Sequence, residues 1–196
     1  MTTSLPVARS ELILGGQKSG KSRRAELLAR SWLASSPTHR AVLIATAQPW
    51  DEEMRERIAR HRQDRTERVP NMLTVEEPEQ LAQALAGHSQ PHTLVVVDCL
   101  TLWLTNLLMP AENNEQKMAF AHDPRVQVAM VLRAIENVAG PLVLVGNEIG
   151  LGVIPMGRET RAFVDALGKL NQDVAQVCAR VTLMAAGLPL VLKGQS

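Results

Sequence analysis

Short apolar runs alternate along this chain with longer segments in which apolar residues recur every three or four positions. The short runs are typical of buried strands and the longer segments of amphipathic helices, so their alternation predicts βα units on a mostly parallel sheet. The predicted strands are 11–15, 41–45, 72–75, 93–98, 142–146, 181–185 and 189–193. The predicted helices are 21–34, 51–67, 79–86, 100–109, 125–138 and 158–179.

The last two predicted strands are joined by Ala186-Gly187-Leu188. Parallel neighbours need a crossover connection, usually a helix, and this segment is too short to form one. We therefore expect the final strand to run antiparallel to the strand before it.

A glycine-rich loop follows the first predicted strand. Its residues fit the pattern G-x-x-x-x-G-K-[ST] and are Gly15, Gly16, Gln17, Lys18, Ser19, Gly20, Lys21 and Ser22. In such a loop the backbone N–H groups point at phosphates, the lysine reaches the β- and γ-phosphates and the final hydroxyl can ligate Mg²⁺. The pattern predicts a nucleotide site at 15–22 in a P-loop NTPase-type three-layer α/β fold, whose mostly parallel sheet has a C-terminal antiparallel strand. The alternative is an ordinary glycine-rich turn with a surface lysine.

A carboxylate ends the apolar strand 93–98. Ligands of open α/β folds gather beyond the carboxyl ends of the strands, so Asp98 is expected to lie near Ser22 and to hold Mg²⁺ with it. The alternative role for Asp98 is to cap the helix that starts at Leu100.

The helix predicted at 51–67 is strongly charged. Acidic residues fill its first turn and basic residues its later turns, as the helix dipole favours, so a solvated surface helix explains much of this charge. His61, however, falls on the same face as Met54 and Ile58. It is either a packing residue or, beside a polyphosphate, a nucleophile at phosphorus, with nearby arginines to neutralise the displaced pyrophosphate.

Polar residues also follow the strand predicted at 142–146. Asn147 and Glu148 stand in a glycine-rich segment at a strand end, where they are candidates for a substrate crevice. A plain loop is the alternative. Because no N-K-x-D stretch follows, guanine recognition of the small-GTPase type is not encoded in the usual way.

Composition favours one catalytic domain at 11–196, preceded by a flexible tail at 1–10. The net charge of +1 and the aromatic content of 3% argue against a nucleic-acid partner. Cys99 and Cys178 lie in apolar surroundings and are predicted to be buried free thiols. With no apolar run long enough for a membrane span, we expect a cytoplasmic location.

Taken together, these segments resemble the bifunctional adenosylcobinamide kinase/adenosylcobinamide-phosphate guanylyltransferase family of cobalamin biosynthesis. The resemblance covers nearly the whole chain and rests on an ordered set of motifs: GGQKSGKS at 15–22, IATA at 44–47, DEEM at 51–54, RIARHR at 57–62, DCLTLWLTNLL at 98–108, NEIGLG at 147–152 and LNQ at 170–172. The P-loop alone would identify only a superfamily, whereas the ordered set is far more specific.

The resemblance implies two reactions. ATP or GTP phosphorylates the aminopropanol hydroxyl of adenosylcobinamide, and GTP then converts the phosphate to the GDP adduct with release of pyrophosphate. It also implies that His61 is the guanylylated residue, that Arg62 and Glu76 belong to the nucleotide site, and that the protein is a homotrimer. A monofunctional P-loop kinase and a non-enzymatic nucleotide switch are the rival interpretations.

The chain departs from the family pattern at three places. Leu43 stands where a tyrosine often precedes the IATA motif, a tryptophan is missing near Met72, and the segment after the glycine cluster reads Pro155-Met156-Gly157. These positions bear on base or corrinoid contacts and leave the phosphate chemistry untouched.

Overall fold

The computed structural model describes residues 5–109 and 123–194. In these ranges the strands are β1 (Ser10–Gly15), β2 (Arg40–Ala45), β3 (Met72–Glu76), β4 (Thr93–Asp98), β5 (Leu142–Val145), β6 (Arg180–Ala185) and β7 (Leu188–Lys193). The helices are α1 (Lys21–Ser35), α2 (Glu52–Arg68), α3 (Leu81–His88), α4 (Leu100–Leu108), α5 (Pro124–Glu136) and α6 (Arg158–Val177). Each predicted element is confirmed, with ends shifted by a few residues at most.

The strands form one sheet in the order β3-β2-β4-β5-β1-β6-β7. Neighbouring strands run parallel except β6 and β7, which are antiparallel as the short connection predicts. Ala186 and Gly187 both have positive φ, at 51° and 78°, as a tight hairpin turn requires. In the register of the central strands, Ala45 pairs with Glu76 on one side and with Asp98 on the other.

Two hydrophobic clusters cover the two faces of the sheet. Because side chains alternate along a strand, Ile13 of β1 points to one face while Leu12 and Leu14 point to the other. The Ile13 face packs against α1, and the opposite face packs against α3, α4, α5 and α6. This arrangement of helices on both sides of a mostly parallel sheet confirms the three-layer α/β prediction.

The start of α3 differs from the prediction. The helix begins at Leu81, two residues after the predicted start at 79, because the carboxylate of Glu77 accepts hydrogen bonds from the backbone N–H groups of Glu79 and Gln80 at 3.0 and 2.8 Å. These bonds hold the segment before Leu81 as a turn and satisfy N–H groups that a helix start would otherwise leave open.

Residues ahead of β1 contact the domain. Leu5 and Val7 pack against the cluster on the α1 face, and the carbonyl oxygen of Leu5 accepts a hydrogen bond from Ser31. The division into a tail at 1–10 and a domain at 11–196 stays a prediction. Among the described residues, no helix is both long and apolar enough to cross a membrane.

Candidate active site

The loop 15–22 lies at the carboxyl end of β1 and leads directly into α1. Gly15 has φ 153°, and a Cβ there would lie 2.5 Å from Ser19 Oγ and 2.6 Å from the carbonyl oxygen of Met184. Lys21 is buried, and its Nζ donates to the carbonyl oxygen of Gly16 at 2.6 Å. The ammonium group of Lys21 therefore lies next to the backbone at the start of the loop, where the phosphates are expected to bind.

The turn between β6 and β7 supports this loop from outside. Gly187 N donates to the carbonyl oxygen of Ser19 at 3.0 Å, and a Cβ on Gly20 would lie 3.2 Å from Gly187 Cα. The close approach of Gly20 to the turn, together with the hydrogen bond from Gly187, thus fixes the second half of the loop. Sequence reasoning identified the hairpin but gave no sign that its turn contacts the phosphate loop.

The start of α1 has the features of an anion site. Its N-cap is Gly20, which has no side chain to cap the helix, and its first turn holds no acidic residue. Ser19 Oγ is buried and has no hydrogen-bond partner within the described part of the chain. Backbone N–H groups at a helix start and a buried hydroxyl together favour an anion such as a phosphate.

Asp98 ends β4 at the same edge of the sheet and is half-buried. The capping alternative is not supported, because α4 has Cys99 as its N-cap and no side-chain capping bond. Ser22, also half-buried, follows Lys21 in the first turn of α1. Carboxylate and hydroxyl oxygens suit Mg²⁺, which commonly takes one or two protein ligands together with substrate phosphates.

The described side chains of α2 are exposed or half-buried, and none is fully buried. Asp51 caps this helix by accepting from Met54 N at 2.7 Å, and Glu52 and Glu53 fill the first turn. Met54 and Ile58 are half-buried as predicted for an inner face, whereas His61 is exposed. The packing interpretation of His61 is therefore wrong for this structure, and the imidazole is accessible to a ligand.

The second half of α2 approaches the carboxyl ends of the strands. Arg68 pairs with the buried Glu26 of α1 at 3.2 Å, and Arg62 forms an ion pair with Glu76 at the end of β3. The structure thus brings Arg62 and Glu76 together, and their assignment to the nucleotide site stays a prediction.

Arg65 lies between these two ion-paired arginines along α2, and the carboxylate of Asp98 is close enough to raise the pKa of its guanidinium. Burial lowers the pKa of its guanidinium, an effect that the nearby carboxylates of Asp98 and Glu26 oppose. Its Nε is buried without a hydrogen-bond partner among the described residues. Because His61 is one helical turn before Arg65, about 6 Å along the axis, α2 presents a histidine and a half-buried cation near the Asp98 edge.

Asn147 and Glu148 border the phosphate loop. Glu148 N donates to the carbonyl oxygen of Gly15 at 3.0 Å, while its carboxylate accepts from Gly150 N at 2.8 Å. Asn147 N donates to Thr101 Oγ1, and its carbonyl oxygen accepts from Asn171. Backbone contacts therefore hold this crevice wall against the P-loop, and the carboxylate of Glu148 shapes its own loop.

Beside Glu148 the loop wall opens into a groove of about 830 Å³ along α6. Its other walls are the exposed apolar segment that follows Ile149 and the strand β7.

Comparison with known proteins decides between the rival interpretations. Residues 11–192 match the profile of the family described as cobinamide kinase / cobinamide phosphate guanyltransferase. The chain belongs to this family. It is 44% identical over 94% of its length to the bifunctional adenosylcobalamin biosynthesis protein CobP of Pseudomonas aeruginosa, 98% of which is covered. It is 34% identical over 93% of its length to the CobU protein of Escherichia coli K12, a bifunctional adenosylcobalamin biosynthesis protein of which 98% is covered.

A solved structure supports the fold assignment. The flagellar accessory protein FlaH of Methanocaldococcus jannaschii superposes with a TM-score of 0.51 at 12% identity, covering 97% of this chain and 80% of FlaH. At this level of identity the likeness concerns the fold alone. Family membership therefore rests on the sequence relatives.

For this cobinamide kinase/guanyltransferase family member, sequence reasoning missed two buried polar residues near the site. Thr46 is fully buried behind Asp98, and Asn106 is buried in the apolar helix α4. A signal was present for Asn106, because an amide inside an otherwise apolar helix must find hydrogen-bond partners when it is buried.

Proposed function

We propose that this chain performs both transfers of its family at one crevice. It phosphorylates the aminopropanol hydroxyl of adenosylcobinamide with ATP or GTP, and it then transfers GMP from GTP to adenosylcobinamide phosphate through a guanylyl group on His61. The observation that carries the proposal is an exposed histidine on α2, one turn before the half-buried Arg65, whose guanidinium interacts electrostatically with Asp98. The P-loop lies at the same edge of the sheet.

The kinase transfer depends on positioning of the γ-phosphate and on stabilisation of its charge. It needs no nucleophile from the protein. The N–H groups at the start of α1 orient the phosphates, and Lys21 neutralises charge that develops as the γ-phosphoryl group leaves. Ser22 and Asp98 would hold Mg²⁺, which supplies further positive charge to the β- and γ-phosphates. The acceptor hydroxyl approaches from the side of Asn147 and Glu148.

The guanylyl transfer needs a nucleophile and cationic side chains that stabilise the leaving pyrophosphate. A neutral imidazole nitrogen of His61 attacks the α-phosphorus of GTP, a P–N bond forms, and the bond to pyrophosphate breaks. A phosphate oxygen of adenosylcobinamide phosphate then attacks the same phosphorus, and the P–N bond breaks to restore the histidine. Arg62 and Arg65 stabilise the departing pyrophosphate through charge-assisted hydrogen bonds.

Intact-mass spectrometry after incubation with GTP and Mg²⁺ tests this function. The account predicts a protein adduct with the mass of GMP and, in a parallel reaction, phosphorylation of adenosylcobinamide. A monofunctional kinase would give the phosphorylated corrinoid without the adduct, and a nucleotide switch would give neither product. His61→Ala serves as the control that assigns any adduct to this side chain.

We also propose that the protein is a homotrimer in the cytoplasm. An exposed apolar surface supports association: Val153 and Met156 are 97% and 94% exposed, and Leu188, Leu190 and Leu192 project from β7. Large apolar side chains exposed in such numbers on two neighbouring segments favour an interaction site. Light scattering coupled to gel filtration should give three times the chain mass, and Val153→Glu together with Leu190→Glu should lower that mass.

A further inference from the structure

Asn106 connects two segments that follow different strands. It is 5% exposed, and its Nδ2 donates to the carbonyl oxygens of Thr46 and Pro78 at 2.8 and 3.0 Å. Thr46 directly follows β2, and Pro78 lies two residues beyond the end of β3. One amide nitrogen on α4 therefore holds the carboxyl ends of two neighbouring strands together.

Thr46 extends this connection to β4. Its Oγ1 donates to the carbonyl oxygen of Cys99 at 2.7 Å and accepts from Cys99 N at 2.8 Å. Its backbone N donates to the carbonyl oxygen of Asp98 at 3.2 Å. The buried threonine thus fixes the backbone of Asp98 and Cys99, and with it the point from which the Asp98 carboxylate extends.

The bond from Asn106 to Pro78 also constrains the segment that carries the second carboxylate, that of Glu76. Glu77 N donates to the carbonyl oxygen of Ala45 at 2.9 Å, and Glu76 precedes it as the last residue of β3. Trp103, one turn before Asn106 on α4, adds a bond from its indole N–H to the carbonyl oxygen of Glu79 at 2.9 Å. The segment that carries Glu76 is therefore bound from α4 at two consecutive carbonyls.

We propose that Asn106 is a positioning residue that sets the spacing between the carboxylates of Asp98 and Glu76. Its two hydrogen bonds go to the backbone of Thr46 and Pro78 and not to either carboxylate, so it acts through the segments that follow β2 and β3. The proposal rests on the proposed function, which places Asp98 at the Mg²⁺–phosphate site and Glu76 beside Arg62. It assigns a role to a residue that is distant in sequence from the P-loop and from His61.

The chemistry of the amide explains why asparagine stands there. A primary amide nitrogen donates two hydrogen bonds, whereas aspartate donates none when ionised and leucine donates none at all. The amide oxygen of Asn106 adds no such bond, because Oδ1 is buried without a hydrogen-bond partner among the described residues. A buried polar atom left unpaired is costly, so the two donated bonds are the feature that distinguishes asparagine from an apolar residue of similar size.

The test compares Asn106→Leu and Asn106→Asp with the wild type in equilibrium GTP binding, with and without Mg²⁺. Because the phosphate loop itself is unaltered, the Kd without Mg²⁺ should stay within about twofold, a free-energy change under ~0.5 kcal/mol. The gain in affinity on adding Mg²⁺ should shrink roughly tenfold, since Asp98 is no longer held in place. The rates of both transfers should fall by about 10–100-fold, as misplacement from a remote site does.

Ser10→Ala is the matched control for a loss of stability alone. Ser10 is 4% exposed, and its Oγ accepts from Ala179 N at 3.0 Å at the opposite end of the sheet. This variant should lower Tm and leave the Mg²⁺-dependent gain unchanged. The proposal is overturned if Ser10→Ala reproduces the loss, or if both Asn106 variants keep the wild-type gain.

A second pair covers the case in which the Asn106 variants do not fold. Thr46→Val removes the hydroxyl at nearly constant shape and should reproduce the loss of Mg²⁺-dependent affinity, whereas Thr46→Ser keeps the hydroxyl and should retain it. Equal behaviour of these two variants contradicts the proposal. Failure of the proposed function is seen separately, because it shows as the absence of a GMP adduct in the wild-type protein.

Discussion

The helices α1 and α2 begin with opposite chemistry. α1 starts after Gly20 with no acidic residue in its first turn and no side-chain cap, next to a buried lysine. α2 starts with the Asp51 cap followed by Glu52 and Glu53, so acidic groups already occupy its N-terminus. A phosphate is therefore favoured at the first helix start and disfavoured at the second.

Packing separates the two regions further. The phosphate loop is enclosed by the β6–β7 turn and by backbone contacts, whereas α2 has no fully buried side chain among those described. The difference matches the two proposed reactions. Phosphoryl transfer depends on a fixed set of donors, and guanylyl transfer depends on a reactive side chain that substrates can reach.

The largest expected effect comes from removing that side chain. His61→Ala should abolish the GMP adduct and guanylyl transfer while phosphorylation of adenosylcobinamide stays measurable, because the γ-phosphoryl transfer needs no imidazole. Since His61 is exposed, the free energy of unfolding should change by less than ~0.5 kcal/mol. Arg60→Ala, an exposed neighbour on α2, is the control for changes to helix charge. Loss of both activities together with a large fall in Tm would instead show that the variant loses its fold, and would contradict a purely chemical role for His61.

Removing the charge of the phosphate loop should affect both reactions. Lys21→Ala deletes the side chain expected at the β- and γ-phosphates, so both transfers should slow by about 10²–10³-fold. Steady-state assays of the two reactions on the variant check this, with Arg30→Ala as an exposed charge control on α1. Near-normal kinase activity in Lys21→Ala would contradict the assignment of loop 15–22 as the phosphate-binding loop.

A smaller effect is expected on stability. Loss of a buried ion pair between β1 and α1, which flank the phosphate loop, should lower the free energy of unfolding more than loss of an exposed pair on α2. Glu11 in β1 is buried, and it contacts Arg24 at 2.9 Å and Thr182 Oγ1 at 2.8 Å. Glu11→Ala leaves the arginine without its buried partner and should cost ~3 kcal/mol. By contrast, Glu52→Ala removes an exposed pair with Arg55 on α2 and should cost under ~1 kcal/mol. Urea unfolding of both variants measures the difference, and equal costs would contradict the contrast in packing.

The smallest effect concerns pH. Burial raises the pKa of Cys99 to about 11 and that of Cys178 to about 12, from an ordinary value of 9.0. Because the folded pKa values exceed the unfolded value, both thiols stay protonated at pH 8, and their contribution to stability is lost as the pH rises above about 9. Urea midpoints at pH 8 and 10 should therefore differ less in Cys178→Ala than in the wild type. An identical pH dependence would show that the thiol does not contribute.

The fold was predictable because its signals are local. Apolar runs, the spacing of the P-loop glycines and the short Ala186–Leu188 connection each specify an element or a direction without knowledge of the rest of the chain. The start of α3 was missed because the side chain of Glu77 bonds the backbone ahead of Leu81, and propensity alone does not reveal such a contact.

The site was predictable only in part. Motif spacing predicted the P-loop, the family resemblance pointed to His61, and a strand end pointed to Asp98. The contacts that hold these groups join segments far apart in sequence, such as Asn106 with Thr46 or the Gly187 turn with Ser19. Partners of this kind follow from the strand order β3-β2-β4-β5-β1-β6-β7, which no local pattern specifies.

The most direct test of the account is a chase of the guanylylated protein. The protein is labelled with GTP and Mg²⁺, freed of nucleotide, mapped by peptide mass spectrometry and then mixed with adenosylcobinamide phosphate. We expect an acid-labile, base-stable GMP group on His61 that passes to the corrinoid at the rate of overall guanylyl transfer. A label on another residue, or a label on His61 that is not passed to the acceptor, would contradict it.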